Sequence, residues 1–483
     1  MHRIRILPED RILEAASGAN LLTVLRDAGL APEAPCGGQG KCGKCRVRVD
    51  GREVLSCLTQ VDRDMTLWLP RTGGHVLLTD GLEGTWTMNP LAKGYLLAFD
   101  IGTTTVAGYL LEPEKGKQVA GESRMNPQAP WGADVITRIR HAIAGGKEKL
   151  TQAIRGCLRE LTETLCGRAG IGFQDIGVVS VVGNPAMQQL FLGISPENLT
   201  RIPFDAVLKA PKAEPAGAFL PEWCNALLLT VPDISGFVGA DTVACVLACE
   251  MDRQEEITLL VDIGTNAEMV LGNREKMIAC AAAAGPALEG ANIRFGMGAR
   301  EGAIDHGWIE EGRICCSVIG GGEAKGICGS GLVDVLAAAL DLGWINTRGK
   351  ILREEGVLPL ADGVYLTRED VEQVQLAKGA IAAGIRLMAG RLGVALQDID
   401  RVCLAGAFGT FLNPESACRI GLLPRELQGK IRAVGNGAGA GAKQIAMDRA
   451  ALERTGVLAG TIEFLELASL PEFPRCFAAG MRF

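Results

Sequence analysis

Three stretches of the chain carry residue types that can do chemistry. The first, "APCGGQGKCGKCRVRVDGREVLSC", sets Cys36, Cys42 and Cys45 in a C-x5-C-x2-C run, with Cys57 after eleven further residues. Four thiolates are what the two irons of a [2Fe–2S] cluster need, commonly three from one tight loop and one from elsewhere. The other two stretches, "LLAFDIGTTTVAGYLLE" and "LLVDIGTNAEMVLGN", repeat Asp-Ile-Gly-Thr at Asp100 and Asp262, 162 positions apart. Gly102 and Gly264 let backbone amides approach a phosphate, and Thr103, Thr104, Thr105, Thr265 and Asn266 add side-chain donors. Asp100 and Asp262 close apolar runs, a costly place for a charge unless it orients a hydrated Mg²⁺ or a water.

These residues need elements to hold them. Arg46-Val47-Arg48-Val49 alternates, turns at Asp50-Gly51 and returns through Glu53 to Leu55, which predicts a hairpin that brings Cys57 back towards Cys45. Gly37, Gly38, Gly40 and Gly43 suit a backbone wrapped closely around a cluster. "HRIRIL", a helix over 20–28 and "MTLWLP" complete a strand–helix–hairpin pattern. Each Asp-Ile-Gly-Thr reads as strand, tight turn, strand. "DIGVVSVVGNPAMQQLF" reads as a buried strand running into a helix, and "SGFVGADTVACVLACEM" as a helix before the second phosphate strand. "DRVCLAGAFGTFLN" is a buried strand ending in a small-residue turn at Gly406 and Ala407, against which a nucleoside can lie. "AVGNGAGAGAKQIAMD" starts a closely packed helix. Gly329 and Ser330 open a further apolar helix, where amides can meet an anion or Ser330 can simply cap the helix. "AGPALEGANIRFGMG" is a glycine-rich turn that can line a cleft between lobes. Residues 70–94 read as a linker with one short strand at 75–78.

Composition sets the bounds. A chain of 483 residues exceeds one ordinary core, so several domains are expected. The net charge of −7 argues against nucleic acid as a partner. No apolar run reaches the ~20 residues that span a bilayer. Sixteen cysteines at irregular spacing and no export signal make a disulfide framework improbable and a cytoplasmic setting the expected one. The scattered cysteines, among them Cys315, Cys316 and Cys328, read as packing residues. Lys41, Lys44, Arg46 and Arg48 beside the cluster loop can steer an acidic partner or simply form a solvated face.

The first 75 residues resemble the β-grasp [2Fe–2S] ferredoxin domain, with the x5 spacing of its adrenodoxin-like branch. The later motifs, in the order phosphate 1, connect 1, phosphate 2, adenosine, connect 2, resemble the actin, sugar-kinase and chaperone ATPase superfamily, a duplicated α/β ribonuclease-H-like fold of two lobes. Ala407 stands where many relatives carry a second glycine. The expected division is 1–75 ferredoxin-like, 76–94 linker, 95–252 first lobe and 253–483 second lobe.

Taken through "PCGGQGKCGKC", "DIGTTT", "VVGNPAM", "ISGFVGAD", "DIGTNAE", "GICGSGLVD" and "LAGAFG", the whole chain resembles the reductive activators of corrinoid-dependent proteins. That resemblance implies an ATP-dependent electron transfer that returns cob(II)alamin of a methyltransferase corrinoid protein to cob(I)alamin. It implies a [2Fe–2S] cluster on Cys36, Cys42, Cys45 and Cys57, and Mg²⁺-ATP held by Asp100, 102–105, Asp262 and 264–266. It further implies a low-potential electron donor upstream, with a homodimer among the possible assemblies. Four other readings stay open at this point: a zinc site on the same cysteines, a degenerate lobe pair that binds no nucleotide, a redox-sensing nucleotide-binding regulator, and an activator of a non-corrinoid enzyme.

Overall fold

The fold was taken from a computed structural model that describes residues 1–7, 11–28, 30–32, 34, 38, 40, 44–69, 86–202 and 204–483. Cys36, Cys42, Lys41 and the short strand expected at 75–78 lie outside the described residues.

In the N-terminal part, β1 (His2–Leu7) alternates as its sequence dictates, burying Ile4 and Ile6 and exposing the arginines between. It pairs with β2 (Arg11–Ala15) and, in parallel, with β5 (Met65–Trp68). Helix α1 (Leu21–Asp27) starts at Asn20, whose side chain accepts the Thr23 amide, and buries Leu21, Leu22 and Leu25. The hairpin β3 (Arg46–Val49) and β4 (Arg52–Leu55) closes the sheet in the order β2-β1-β5-β3-β4. Its turn puts Asp50 at φ 47° and Gly51 at φ 83°, the two left-handed residues that match the twist of paired strands.

Beyond residue 94 the architecture occurs twice. In the first lobe β6 (Tyr95–Ile101), β7 (Thr105–Leu111) and β8 (Gln118–Met125) form a meander, and β9 (Ile176–Gly183) joins β6 in parallel. With β10 (Lys212–Pro215) and β11 (Leu227–Thr230) the order is β8-β7-β6-β9-β11-β10. In the second lobe β12 (Thr258–Ile263), β13 (Ala267–Gly272) and β14 (Met277–Ala282) form the equivalent meander. There β17 (Arg401–Ala405) and β18 (Ile431–Gly435) lie parallel on the far side of β12. Both lobes therefore place the strand before the phosphate turn at the centre of the sheet. The hairpin β15 (Ala303–Glu310) and β16 (Arg313–Val318) is an addition to the second lobe.

Helices cover the faces. α2 (Val135–His141), α3 (Lys147–Ala169) and α4 (Pro185–Leu192) shield the outer side of the first sheet around Phe99, Leu158 and Val179. α6 (Gly329–Asp341) and α7 (Arg368–Leu392) do so in the second lobe. The short helix α8 (Gly406–Phe411) follows β17 directly, where the sequence suggested a turn. Between the sheets lie α5 (Ala240–Ala248) and α9 (Gly437–Met447), in a core shared by both lobes. Their approach depends on glycine: a Cβ at Gly441 would stand 2.1 Å from the Ala244 carbonyl oxygen. Residues Trp86, Met88, Leu91 and Ala92, from the segment read as linker, pack on this same core, and Asn89 pairs with Asp448. No helix among the described residues is long and apolar enough to cross a membrane.

Candidate functional site

At the cluster end the hairpin does what its sequence implies. The Ser56 amide donates to the Cys45 carbonyl at 2.9 Å and the Ser56 hydroxyl does so at 3.0 Å, while Asn20 Nδ2 donates to the Cys57 carbonyl at 2.8 Å. Cys45 and Cys57 are both buried in one small apolar nest with Leu22 and Ala34. Neither is in a disulfide. Two neighbouring, buried, unbridged thiols, Cys45 just before β3 and Cys57 just after β4, are a donor set that fits an iron–sulfur cluster. Of the basic residues, Arg46 pairs with Glu53 on its own hairpin at 2.5 Å, a surface pair that contributes little. Lys44 Nζ instead reaches across to the Gly296 carbonyl of the second lobe at 2.7 Å.

The second site is a cleft between the lobes, a cavity of about 320 Å³. All thirteen residues singled out from the sequence for nucleotide binding line it. Asp100, Gly102, Thr103, Thr104 and Thr105 come from the β6–β7 turn, and Asp262, Gly264, Thr265 and Asn266 from the β12–β13 turn. Gly329 and Ser330 open α6, and Gly406 and Ala407 open α8. Each Asp-Ile-Gly-Thr turn follows the central strand of its sheet, α8 follows the neighbouring strand β17, and α6 starts just after the short strand Gly326–Ile327 that pairs with β15 of the added hairpin. Phe408 and Phe411 add an apolar wall beside Ala407.

Of the two readings of the Gly329–Ser330 helix start, the cap does not hold. Ser330 does not cap α6; the cap position is Cys328, and the Ser330 hydroxyl donates to the Asp305 carbonyl at 2.9 Å from within the first turn. That bond ties α6 to the added hairpin.

The sequence reading missed the residues that brace the first turn. Arg138, fully buried on α2, donates to the carbonyls of Thr103 at 2.6 Å and Gly132 at 2.8 Å and to Gln128 Oε1 at 3.3 Å. Asn126 donates to the Gly102 carbonyl at 2.8 Å. Asn184, the N-cap of α4, donates to Thr103 Oγ1 at 3.1 Å, and Asn436, the N-cap of α9, to Asp100 Oδ2 at 2.9 Å. Asp241 in the first turn of α5, Glu268 and Glu289 complete the lining. The signals for Asn184, Asp241, Glu289 and Asn436 were present, each a polar residue in a quoted motif otherwise apolar or small.

The electrostatics are those of a place made for a cation. Burial pushes the Asp100 carboxyl up to about 7, with Asp241 and Asp262 adding repulsion against the Asn436 hydrogen bond. Asp262 rises to about 7 through burial and the charges of Asp241 and Glu289, and burial takes Asp241 to about 6. Glu268 is also driven upward by burial and its acidic neighbours. Glu289 rises by burial, opposed by hydrogen bonds from Thr265 and Thr104 and by Arg138. Burial lowers Arg138 to about 10, so it stays charged. Among the described residues no three ligating side chains converge closely enough to grip a bare metal ion. Hard carboxylate oxygens standing back from one another fit Mg²⁺, which keeps several of its waters.

Fold and site together define a class: an ATPase of two ribonuclease-H-like lobes, led by an iron–sulfur domain. Three family models cover most of the chain: a 2Fe-2S iron-sulfur cluster binding domain at 4–67, the RACo middle region at 95–254, and the C-terminal ASKHA domain of RACo at 256–483. The chain is 34% identical over 418 residues to the corrinoid activation enzyme RamQ of Eubacterium limosum, covering 80% of this chain and 70% of that one. It is 29% identical over 393 residues to the [Co(II) methylated amine-specific corrinoid protein] reductase of Methanosarcina barkeri, covering 74% and 71%. A solved structure of a reductive activator for corrinoid,iron-sulfur protein superposes on 100% of this chain and 98% of its own, with a TM-score of 0.74 and 28% identity. The chain belongs to the RACo family. Its N-terminal domain is a [2Fe–2S] domain, which sets the zinc reading aside, and its cofactors are that cluster, ATP and Mg²⁺.

Proposed function

We propose that the protein is an ATP-dependent reductive activator of a methyltransferase corrinoid protein. One electron leaves the reduced cluster, one cob(II)alamin in the partner becomes cob(I)alamin, and ATP is hydrolysed to ADP and phosphate. The observation that carries this reading is the meeting of all thirteen nucleotide candidates in one cleft, within a chain whose other domain is built for a [2Fe–2S] cluster. An electron transfer that is uphill by ~59 mV is disfavoured tenfold for a one-electron couple. A nucleotide bound differently in the two states of the activator can offset such a gap.

In this reading Cys36, Cys42, Cys45 and Cys57 hold the cluster, which supplies the single electron. Asp100 and Asp262 would hold a hydrated Mg²⁺, which would neutralise phosphate charge, and would orient the attacking water. The amides of 102–105 and 264–266, with their hydroxyls, bind the phosphates, and Asn436 and Asn184 hold Asp100 and Thr103 in place. Ala407 and Gly406 support the nucleoside beside Phe408 and Phe411, while Gly329 and Ser330 close the cleft from the second lobe. The division at residues 75, 94 and 252, a low-potential donor upstream, a cytoplasmic setting and a homodimer belong to the same reading. To test it, the reduced protein is mixed with cob(II)alamin proteins of methyltransferase systems, with and without ATP. Cob(I)alamin absorbance is expected only with ATP and only with a matching partner. ATP-dependent partner binding with no cobalt reduction would instead make the protein a redox-sensing regulator.

A further inference from the structure

One loop of the second lobe touches both halves of the molecule. At its start the Glu289 carboxylate accepts Thr265 Oγ1 at 2.6 Å and Thr104 Oγ1 at 3.3 Å, one hydroxyl from each phosphate turn. Seven residues later the Gly296 carbonyl accepts Lys44 Nζ at 2.7 Å. Lys44 immediately precedes Cys45. The loop between is folded back on itself. A Cβ at Gly290 would lie 2.6 Å from the Met297 carbonyl oxygen, and one at Gly296 would lie 2.1 Å from the Gly290 carbonyl oxygen. The Glu289–Gly290 end and the Gly296–Met297 end therefore stand backbone against backbone, and closely packed atoms do not move independently. Residues 297–299 return to line the cleft.

A terminal phosphate seeking Thr104 and Thr265 meets a carboxylate already holding both hydroxyls. Two anions cannot share those donors, and their charges repel. We infer that residues 289–297 form a relay in which Glu289 senses the terminal phosphate and Gly296 holds or releases Lys44, so that nucleotide binding frees the cluster domain from the second lobe. The inference rests on the nucleotide reading of the cleft. Two states differ by named contacts: in one, Glu289 holds the threonines and Gly296 holds Lys44; in the other, the nucleotide takes the threonines and both contacts are lost. That is the differential interaction a coupled equilibrium requires. The cluster domain also meets the first lobe, where Lys149 stands 3.9 Å from Asp27, a pair of exposed side chains that is screened by salt.

Linkage makes the device measurable. If nucleotide weakens the Lys44 contact, removing that contact strengthens nucleotide binding by the same factor. Affinities for a non-hydrolysable ATP analogue and for ADP are to be compared in the full-length, cluster-loaded protein as wild type, Lys44→Ala, Glu289→Gln and the double variant. Lys44→Ala is expected to tighten the analogue by about fivefold or more and to leave ADP, which lacks the terminal phosphate, near wild type. Glu289→Gln should tighten it too, and the double variant should gain less than the two singles combined, because both act on one equilibrium. As a second readout, the analogue should change the visible circular dichroism of the wild-type cluster and leave that of Lys44→Ala unchanged. A Lys44→Ala protein with wild-type analogue affinity and an intact dichroic response overturns the relay while leaving the nucleotide site standing. A wild-type protein that binds neither nucleotide overturns the nucleotide reading itself, and the relay with it.

Discussion

The two phosphate turns share four residues of sequence and are held in opposite ways. The first, 100–105, is clamped from behind by Asn126, Arg138 and Asn184 and tied to α9 through Asn436. The second, 262–266, closes on itself through the Gly264 amide and Asn266 carbonyl at 2.9 Å. Among the described residues its side-chain hydrogen bond beyond its own hairpin runs from Thr265 to Glu289. Duplication gave both lobes the same strand order, and the interleaving helices then made one turn a fixed anvil and left the other to respond. A motif read from sequence thus identifies what a turn can bind, while its role in a moving machine depends on what stands behind it.

The largest expected effect tests the fixed turn. Arg138→Ala takes the Arg138 donor from the buried Gly132 carbonyl and Gln128 Oε1 and from the partly buried Thr103 carbonyl, at about 1–3 kcal/mol for each buried acceptor. It should lower the melting temperature by on the order of 10 °C, given roughly 2–4 °C per kcal/mol for a domain of this size. Calorimetry with and without nucleotide measures this, and Arg138→Lys should recover little because one ammonium cannot span the same three partners. A melting point within a degree or two of wild type would mean that the first turn stands without its clamp.

Charge at the metal end comes next. Asp262→Asn and Asp100→Asn should each lower ATP turnover by about 10²–10³-fold, the scale of losing one preorganised electrostatic contact. Asn436→Ala, which only loosens Asp100, should cost about tenfold. Phosphate release assays with protein that still carries its cluster make the comparison. Should Asn436→Ala equal Asp100→Asn, orientation rather than charge is what Asp100 contributes.

Metal removal gives a pH signature. In the metal-free fold Asp100 and Asp262 titrate near about 7, against about 4 for an unfolded aspartate. The folded state therefore holds these protons more tightly. The stability this contributes is present in full below about pH 4 and is lost as pH rises through about 7. Denaturant melts in chelator should show this part of the stability falling across that window, less steeply in Asp262→Asn, and Mg²⁺ with nucleotide should restore it. An equal slope in wild type and Asp262→Asn would place the titrating groups elsewhere.

The smallest effect belongs to the cluster hairpin. Gly51→Ala strains a residue at φ 83° with no neighbour in the way of its Cβ, and should cost about 1 kcal/mol with the visible spectrum retained. Bleaching of the cluster in Gly51→Ala would show that the turn does more than set register.

How much was legible in the sequence follows from the range of the interactions. The β3–β4 hairpin, the strand–turn–strand phosphate motifs and the start of α6 rest on local chemistry: alternation, turn residues and glycine. The cleft candidates were legible because an internal repeat in a known order fixes the topology that brings them together. Arg138 was not, since it lies 35 residues from the Thr103 carbonyl it supports, and nothing local says that a helical arginine will be fully buried. Glu289 was visible only as part of a glycine-rich turn, because its role depends on hydroxyls from two lobes. Residues 86–92 looked like linker because the stretch 70–94 around them is rich in glycine, proline and turn residues, yet Trp86 and Met88 find an apolar surface that no local pattern reveals. The Ser330 cap failed for a local reason: the helix begins at Gly329, two residues earlier than a Ser330 cap requires.

The central claim is that nucleotide at the interlobe cleft governs electron delivery from the cluster domain. The most direct measurement is stopped-flow absorbance at the corrinoid bands, with pre-reduced activator and its cob(II)alamin partner, comparing ATP, a non-hydrolysable analogue and no nucleotide. Cobalt reduction should be fast and complete with ATP, and slow or incomplete without it. Reduction that is equally fast and complete in the absence of nucleotide would contradict the account, even with a cluster on the cysteines and ATP in the cleft.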